Sequence, residues 1–341
     1  MDAKHRKQLR WQVPFLLLLV VGTILIVRQQ QTAPYQQNEG FIFGTIYKIT
    51  YQYPKDIKPQ IEAELKKVDA SLSMFNKEST ISKINSSQSA ITDEMFDEVF
   101  NMAQLVSQET NGAFDITVGP LVNLWGFGFK SGTEPTKENV DSIRNFVGFN
   151  TVSLKGNKIE KQDPRTTLDC SAIAKGYGCD RVARLLESEG VTNYMIEIGG
   201  EVVTKGNSPK RLPWKIGVTK PTDDSLSTNQ ELQTILNVTD KAMATSGNYR
   251  RFYYKGGKKY AHTIDPKTGY PVQHSLLSAT VLADRCAIAD AYATAFMVMG
   301  LDKAKVVLDK HPELMAYFIY TDQKGQLSVW YSPSMKDKIG E

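Results

Sequence analysis

The stretch that most constrains this chain is DCSAIAKGYGCD at residues 169–180, near the middle of its 341 residues. It follows a short β-like run, and apolar residues continue from it at helical spacing. Asp169 and Ser171 are residue types that cap helix starts, so a helix is predicted to begin here. Small residues around Lys175 leave room for a ligand close to the backbone. Two interpretations stay open: an ordinary capped core helix, or a helix N-terminus that binds a phosphorylated ligand.

The hydrophobic pattern on either side of this stretch predicts helices and strands that do not alternate regularly. Helical spacing predicts helices at residues 57–74, 93–110, 139–146 and 287–299. Alternation and turn residues predict strands or hairpins at 41–53, 151–168, 193–204, 250–264, 276–282 and 315–331. This arrangement is typical of an α+β fold with mixed or antiparallel sheets flanked by helices. No Pro-rich or Ser-rich linker interrupts residues 41–335, so we expect one folded unit there.

The N-terminal residues predict targeting to a membrane. Residues 1–28 hold five basic residues and one acidic residue, which accounts for the whole net charge of +4. The balanced remainder argues against nucleic acid as a partner. An apolar run at 13–27 follows the first basic residues, so we expect residues 1–28 to form a cytoplasmic stub and an uncleaved anchor. A cleaved signal peptide is the alternative. Residues 29–40 are polar and rich in Gln, and are predicted to be a flexible tether.

A pair of oxygen-bearing side chains stands out near the C-terminus. Asp290 and Thr294 are four residues apart on a predicted helix and therefore share one face. A carboxylate and a hydroxyl are hard oxygen ligands that suit Mg²⁺. The alternative is an exposed polar face, but the alanines and apolar residues around them indicate a helix that is buried on most sides. A buried Asp needs a partner.

Histidine and cysteine are scarce in this sequence. His262 is one of four His and ends a predicted strand before a turn at 265–269, which makes it a candidate for proton transfer or a structural side chain. Cys170 and Cys179 are too far apart on one predicted helix to form a disulfide. Either one of them pairs with Cys286, or all three are small buried hydrophobic side chains, as we expect.

Six short motifs follow one another between residues 112 and 295. They are GAFDITVGPL (112–121), DCSAIAKGYGCD (169–180), EIGGE (197–201), TSGNYR (245–250), HTIDPKTGYP (262–271) and ADAYATA (289–295). Through this set the chain resembles the ApbE family of flavin transferases over about residues 41–331. The resemblance implies that residues 41–335 form a single ApbE-like catalytic unit.

The resemblance also implies an activity and a location. The activity is Mg²⁺-dependent transfer of the FMN moiety of FAD to a Thr or Ser hydroxyl of a target protein, with release of AMP. The targets would be acceptor domains of membrane redox complexes or flavin-dependent reductases, on the periplasmic side of a bacterial inner membrane. Two alternatives are a non-catalytic FAD-binding protein and a Mg²⁺-dependent FAD pyrophosphatase that uses water as acceptor.

Individual residues take roles from the same resemblance. It assigns catalysis to His262, and Mg²⁺ binding to Asp290, Thr294 and the backbone carbonyl of Ala172, so these two helices should meet in space. It assigns FAD contacts to Phe43, Phe75, Ala113, Phe114, Asp115, Asp169, Lys175 and Ile264. Phe43 departs from the usual Met, and Phe75 from an aromatic residue with a hydroxyl. Glu201 and Tyr249 lie in the motifs without an assigned role.

Overall fold

Helices and strands are interspersed along the chain in the computed structural model. It describes residues 12–24, 33–86, 91–128, 135–221, 231–249, 252–255 and 258–340. The helices are α1 (residues 12–24), α2 (Lys58–Leu72), α3 (Thr80–Asn85), α4 (Glu94–Glu109), α5 (Gly119–Leu124), α6 (Lys137–Arg144), α7 (Ala174–Ser188), α8 (Cys286–Met299) and α9 (Leu301–Leu308). The strands are β1 (Tyr35–Ile42), β2 (Thr45–Gln52), β3 (Val152–Lys155), β4 (Lys158–Lys161), β5 (Tyr194–Ile198), β6 (Glu201–Lys205), β7 (Trp214–Thr219), β8 (Leu232–Val238), β9 (Ala242–Gly247), β10 (Phe252–Lys255), β11 (Lys258–Ala261), β12 (Leu276–Ala283), β13 (Met315–Thr321) and β14 (Leu327–Tyr331).

An eight-stranded sheet forms the centre of the fold. Its strand order is β1-β2-β5-β6-β9-β12-β13-β14, and every neighbouring pair is antiparallel. The pairs β3-β4, β7-β8 and β10-β11 form separate two-stranded sheets. Because successive strand residues face opposite sides, β2 buries Tyr47, Ile49 and Tyr51 on one face. The α+β prediction with antiparallel sheets and flanking helices is confirmed.

The folded part begins earlier than the sequence predicts. Residues 35–40, assigned above to the tether, belong to β1, and the single strand predicted at 41–53 contains the end of β1, the turn and all of β2. The hairpin turns at Phe43 and Gly44, which both have positive φ, 52° and 73°. β1 lies at the sheet edge, where side chains can be polar, so its sequence lacks an apolar pattern. Asn38, which is buried, accepts a hydrogen bond from Tyr51 Oη at 2.9 Å.

The predicted anchor lies only partly within the described residues. Residues 12–24 are helical, and their apolar side chains are exposed, as at Leu18 with 74% exposure. Over the portion of the chain that is described, no helix has both the length and the apolar character needed to cross a membrane. Residues 25–32 fall outside that portion, so the fate of the segment stays a prediction.

Helices α7 and α8 cross at very short distance beside the central sheet. A Cβ atom at Gly176 would lie 2.4 Å from the carbonyl oxygen of Cys286, so only glycine permits this approach. Asp180 of α7 accepts hydrogen bonds from the backbone N–H groups of Cys286 at 2.7 Å and Ala287 at 3.0 Å. Burial raises the pKa of Asp180 to about 6, although these hydrogen bonds oppose the shift. The side chain caps α8 from a neighbouring helix and fixes the position of α8.

The three cysteines are free and buried, as expected. Burial raises the pKa of each thiol. Cys179 Sγ donates to the carbonyl oxygen of Glu201 at 3.4 Å, so this thiol packs between α7 and the start of β6.

Glu98 connects α4 to α7 and to the residue before α8. Its carboxylate accepts hydrogen bonds from Tyr177 Oη at 2.7 Å, Arg184 Nη1 at 2.9 Å and Arg285 Nη2 at 2.7 Å. Burial alone raises the pKa of Glu98, but the hydrogen bonds from Arg184, Tyr177 and Arg285 outweigh it and lower the pKa to about 2. The ionised carboxylate therefore stabilises the folded state.

Replacing Glu98 with Gln is expected to destabilise the protein at pH 7 by roughly 1–2 kcal/mol, because charge-assisted hydrogen bonds from partly buried partners are lost. A depressed carboxyl pKa contributes stability above its ordinary value, here 4.5, and that contribution disappears as the pH falls towards about 2. Urea unfolding of wild type and variant should therefore differ at pH 7 and converge across this acid window. Glu94→Gln, at an exposed position of the same helix, is the control. A difference that is unchanged at pH 3 contradicts the assignment.

Candidate active site

Three charged side chains from three elements form a buried cluster. Lys175 lies in the first turn of α7, Glu201 begins β6, and Asp290 lies in α8. Lys175 Nζ is 3.0 Å from Glu201 Oε1 and 3.8 Å from Asp290 Oδ2. Asp290 Oδ2 also accepts the backbone N–H of Gly176 at 3.2 Å. The expected meeting of the 169–180 stretch with the helix that carries Asp290 is confirmed.

Helix α7 starts later than predicted. It begins at Ala174, and Ile173 is its N-cap residue without a side-chain cap. Asp169 instead accepts the N–H of Ser171 at 2.8 Å, which closes a local turn. The predicted start at Asp169–Ser171 is wrong because the capping side chain stabilises this turn and not the helix. The N–H of Ala174 bonds to the carbonyl oxygen of Cys170 at 2.8 Å.

The cluster contains two carboxyl groups and one ammonium group. Asp290 and Glu201 are 3% and 4% exposed, whereas the Lys175 side chain is 29% exposed. Burial raises the pKa of both carboxyl groups against the attraction of Lys175. Burial lowers the pKa of Lys175, but the two carboxylates outweigh this and raise it. Within the described part of the chain, Glu201 Oε2 is buried without a hydrogen-bond partner. Such an oxygen is unfavourable unless a donor or a cation satisfies it.

The oxygens near Asp290 fit a hard divalent cation. Thr294 lies one turn further along α8, and its Oγ1 is 3.0 Å from Ser246 Oγ of β9. Ala172 lies four residues before Gly176, whose N–H bonds to Asp290, so this segment is held beside α8. No group of three or more His, Cys, Asp or Glu side chains suited to a metal occurs in the described ranges. The predicted metal ligands are instead one carboxylate (Asp290), one hydroxyl (Thr294) and one backbone carbonyl (Ala172). These are ligand types that Mg²⁺ accepts.

His262 directly follows β11 and is partly buried. Its ring lies edge-on to Phe127, with centroids 6.4 Å apart. The next residue, Thr263, donates through Oγ1 to Asn248 Oδ1 at 2.7 Å. Asn248 is two residues after Ser246, so the end of β9 connects the segment of His262 with the neighbour of Thr294. A cavity of about 340 Å³ opens beside Asn248 and Ala261.

The positions assigned to FAD in the first two motifs lie on neighbouring segments. Three of them follow α4 and are buried: Ala113, Phe114 and Asp115. Asp115 Oδ1 accepts Thr117 N at 2.8 Å and Thr117 Oγ1 at 2.7 Å, and burial raises the pKa of Asp115 against these bonds. The N–H of Asp169 bonds to the carbonyl oxygen of Ile116 at 2.6 Å. The first two motifs are therefore adjacent in the fold.

The remaining positions assigned to FAD, Phe43, Phe75 and Ile264, differ in exposure. Phe43 packs against α7, since a Cβ atom at Gly178 would lie 2.6 Å from its ring. Ile264 is buried and belongs to an apolar cluster with Trp125. Phe75 follows α2 and is 76% exposed. Two of these side chains are thus packed within the protein, whereas the third presents an aromatic surface to solvent.

Several contributors to the site were missed in the sequence. Glu201 was noted only as part of a motif, and Ser246 was given no role. A series of stacked rings also escaped notice: Trp125 on Tyr260, Tyr260 on Tyr253, and Tyr253 on Phe127, with centroids 5.3 to 5.6 Å apart. The available indication was Tyr253 and Tyr260 in the hairpin predicted at 250–264, because residues directly opposite each other in an antiparallel pair project to the same face.

Solved structures share this fold and identify its class as that of flavin transferases. The flavin transferase ApbE from Vibrio cholerae has a TM-score of 0.80 at 36% identity and covers 89% of this chain and 100% of its own. The flavinyl transferase ApbE of Pseudomonas stutzeri, in its apo form, has a TM-score of 0.81 at 28% identity, with coverage of 92% and 99%.

Sequence comparison leads to the same class. The model of the ApbE family matches residues 43–318. The FAD:protein FMN transferase of Haemophilus influenzae is 37% identical over 327 residues, which span 89% of this chain and 94% of that protein. The chain belongs to the ApbE family, and the resemblance stated from its motifs is confirmed.

Proposed function

We propose that this protein transfers the FMN moiety of FAD to a Thr or Ser hydroxyl of a target protein and releases AMP, with Mg²⁺ as cofactor. The observation that carries the proposal is the buried cluster of Lys175, Glu201 and Asp290 next to Thr294. One lysine among two carboxylates leaves a negative site for a cation, while the partly exposed Lys175 suits a phosphate. Similar proteins are named FAD:protein FMN transferase.

Each of these residues has a separate role in the proposed reaction. Asp290, Thr294 and the carbonyl of Ala172 would hold Mg²⁺, which when bound supplies polarisation of the phosphoryl oxygens. Lys175 places a positive charge next to the pyrophosphate. His262 accepts the proton of the acceptor hydroxyl. The hydroxyl oxygen then bonds to the FMN phosphorus, and the bond from that phosphorus to the AMP oxygen breaks.

FAD contacts are proposed for the remaining positions of the motifs. Asp115 and Asp169 offer hydrogen-bond acceptors on adjacent segments, beside Ala113 and Phe114. Phe43, Phe75 and Ile264 supply apolar surface, and the exposure of Phe75 suits stacking on a flavin or adenine ring.

A transfer assay tests this proposal. The full chain in detergent is incubated with FAD, Mg²⁺ and an acceptor domain, and intact mass and released nucleotides are measured. We expect the acceptor to gain one FMN at a Thr or Ser, with an equal amount of AMP. Free FMN and AMP without labelled protein would support the FAD pyrophosphatase alternative. FAD binding without either product, for several acceptors, would support a non-catalytic FAD-binding protein.

We further propose that the protein is anchored in a bacterial inner membrane with its catalytic part in the periplasm. The basic residues followed by an apolar run support this orientation. The acceptors would then be exported domains of membrane redox complexes or of flavin-dependent reductases.

Protein isolated from native membranes is therefore expected to retain its first residues and to require detergent for release, because an uncleaved apolar segment stays in the bilayer. Intact-mass measurement checks the first part, and extraction with high salt compared with detergent checks the second. A mature mass that begins after Arg28 would show instead that residues 1–28 are a cleaved signal.

A further inference from the structure

We propose that Glu201 is a positioning residue: it holds the Lys175 ammonium away from Asp290, so that the Asp290 carboxylate stays available to a divalent cation. This inference rests on the cation site of the proposed function. It gives a role to a buried carboxylate that the proposed reaction does not otherwise use.

The distances show which carboxylate Lys175 prefers. Its Nζ atom forms a hydrogen-bonded ion pair with Glu201 Oε1 at 3.0 Å but remains 3.8 Å from Asp290 Oδ2. Both carboxylates are almost completely buried, where attraction between opposite charges is much stronger than in water. One ammonium therefore stands between two competing anions, and Glu201 is the closer of the two.

The backbone holds Glu201 in this position. The residue begins β6 after a tight turn at Gly199 and Gly200, which have φ values of 64° and 107°. Its carbonyl oxygen accepts the thiol of Cys179, and β6 pairs with β5 from this first residue, Ile198 opposite Glu201. With the backbone fixed on two sides, the carboxylate remains next to Lys175.

Loss of the Glu201 charge would change the partner of Lys175. The lysine side chain is a flexible four-carbon stem, and a small rotation would close the remaining gap to Asp290. Asp290 would then lie in a neutral ion pair, and a cation would have to displace the ammonium before it could bind. Cation affinity should therefore depend on Glu201 only while Lys175 is present.

A double-mutant cycle measured by calorimetry tests this dependence. Mg²⁺, and separately Mn²⁺, is titrated into the full chain in detergent without FAD, for wild type, Glu201→Gln, Lys175→Met and the double variant. We expect Glu201→Gln to weaken binding about tenfold or more, while Lys175→Met and the double variant stay within about threefold of wild type. The decisive comparison is between the single and double variants: Lys175→Met should raise the cation affinity of the Glu201→Gln protein to that of wild type, and should change little in wild type.

Other outcomes overturn the inference. If Lys175→Met changed cation affinity equally in wild type and in Glu201→Gln, Glu201 would act on the cation independently of the lysine. An unchanged affinity of Glu201→Gln, or wild type that binds neither cation, would also refute it. Thermal unfolding of each variant reports folding. If Glu201→Gln does not fold, the comparison of the double variant with Lys175→Met decides, and a double variant that binds about tenfold more weakly refutes the inference.

The same measurements separate this inference from the proposed function. FMN transfer by wild type together with an additive cycle would refute only the role of Glu201. Cation binding that follows the predicted cycle, in a protein that transfers no FMN to any acceptor, would refute the transferase proposal and leave the role of Glu201 intact.

Discussion

Replacing Asp290 with Ala is expected to abolish Mg²⁺-dependent FMN transfer, a loss on the order of 10³-fold or more, because a catalytic metal contributes several kcal/mol and each 1.4 kcal/mol is about tenfold. The carboxylate is 3% exposed and is the only acidic member of the predicted ligand set. Folding should survive, since Lys175 keeps its closer partner Glu201 at 3.0 Å. FAD should still bind through the positions on the other motifs.

Two further variants sharpen this experiment. Asp290→Asn retains an acceptor for the N–H of Gly176 but lacks the charge, so it should fold like wild type and still fail to transfer FMN. Asp302→Ala, at an exposed position of α9, should leave the rate unchanged. AMP release and acceptor mass are followed across a range of Mg²⁺ concentrations. Full activity of Asp290→Ala at dilute Mg²⁺ would remove Asp290 from the site.

Replacing His262 with Ala is expected to slow FMN transfer by about 10²–10⁴-fold, which is the usual contribution of a positioned acid or base. FAD affinity should stay close to wild type, because the proposed role concerns only the acceptor hydroxyl. The wild-type rate should fall at acid pH, where a protonated imidazole cannot accept a proton, and the variant should lack this limb of the profile. Single-turnover rates and FAD titration measure the two quantities separately.

The control for this variant is His311→Ala, because His311 contacts Glu313 at 2.9 Å near the start of β13 and has no proposed part in the reaction. It should transfer FMN at the wild-type rate. A wild-type rate for His262→Ala would make that histidine structural. The base would then have to be sought elsewhere, with Asp265 as the next candidate, although its Oδ1 already accepts the N–H of Lys267 at 2.9 Å within the turn.

Local patterns explain which parts of this protein could be read from its residues. Helical spacing located α2, α4 and α8 to within a few residues, because periodic burial is a property of each segment alone. The polar edge strand β1 and the strand β9 were missed because their position depends on neighbouring strands and not on a pattern within each segment. β1 is held by pairing with β2, and β9 by its two neighbours in the sheet, so their own residues carry little periodicity.

By itself, the sequence determined the α+β class, the longer helices α2, α4 and α8, the family and the candidate residues Lys175, Asp290, Thr294 and His262. Only the tertiary structure decided how they are combined. Glu201 forms a hydrogen bond with Lys175, 26 residues away in the sequence, and Asp290 forms one with Gly176, 114 residues away. These contacts depend on the close crossing of α7 and α8 and on the start of β6 beside them. The spacing of residues along the chain indicates which face of a helix or strand a side chain occupies. The packing of the elements determines which other side chains it contacts.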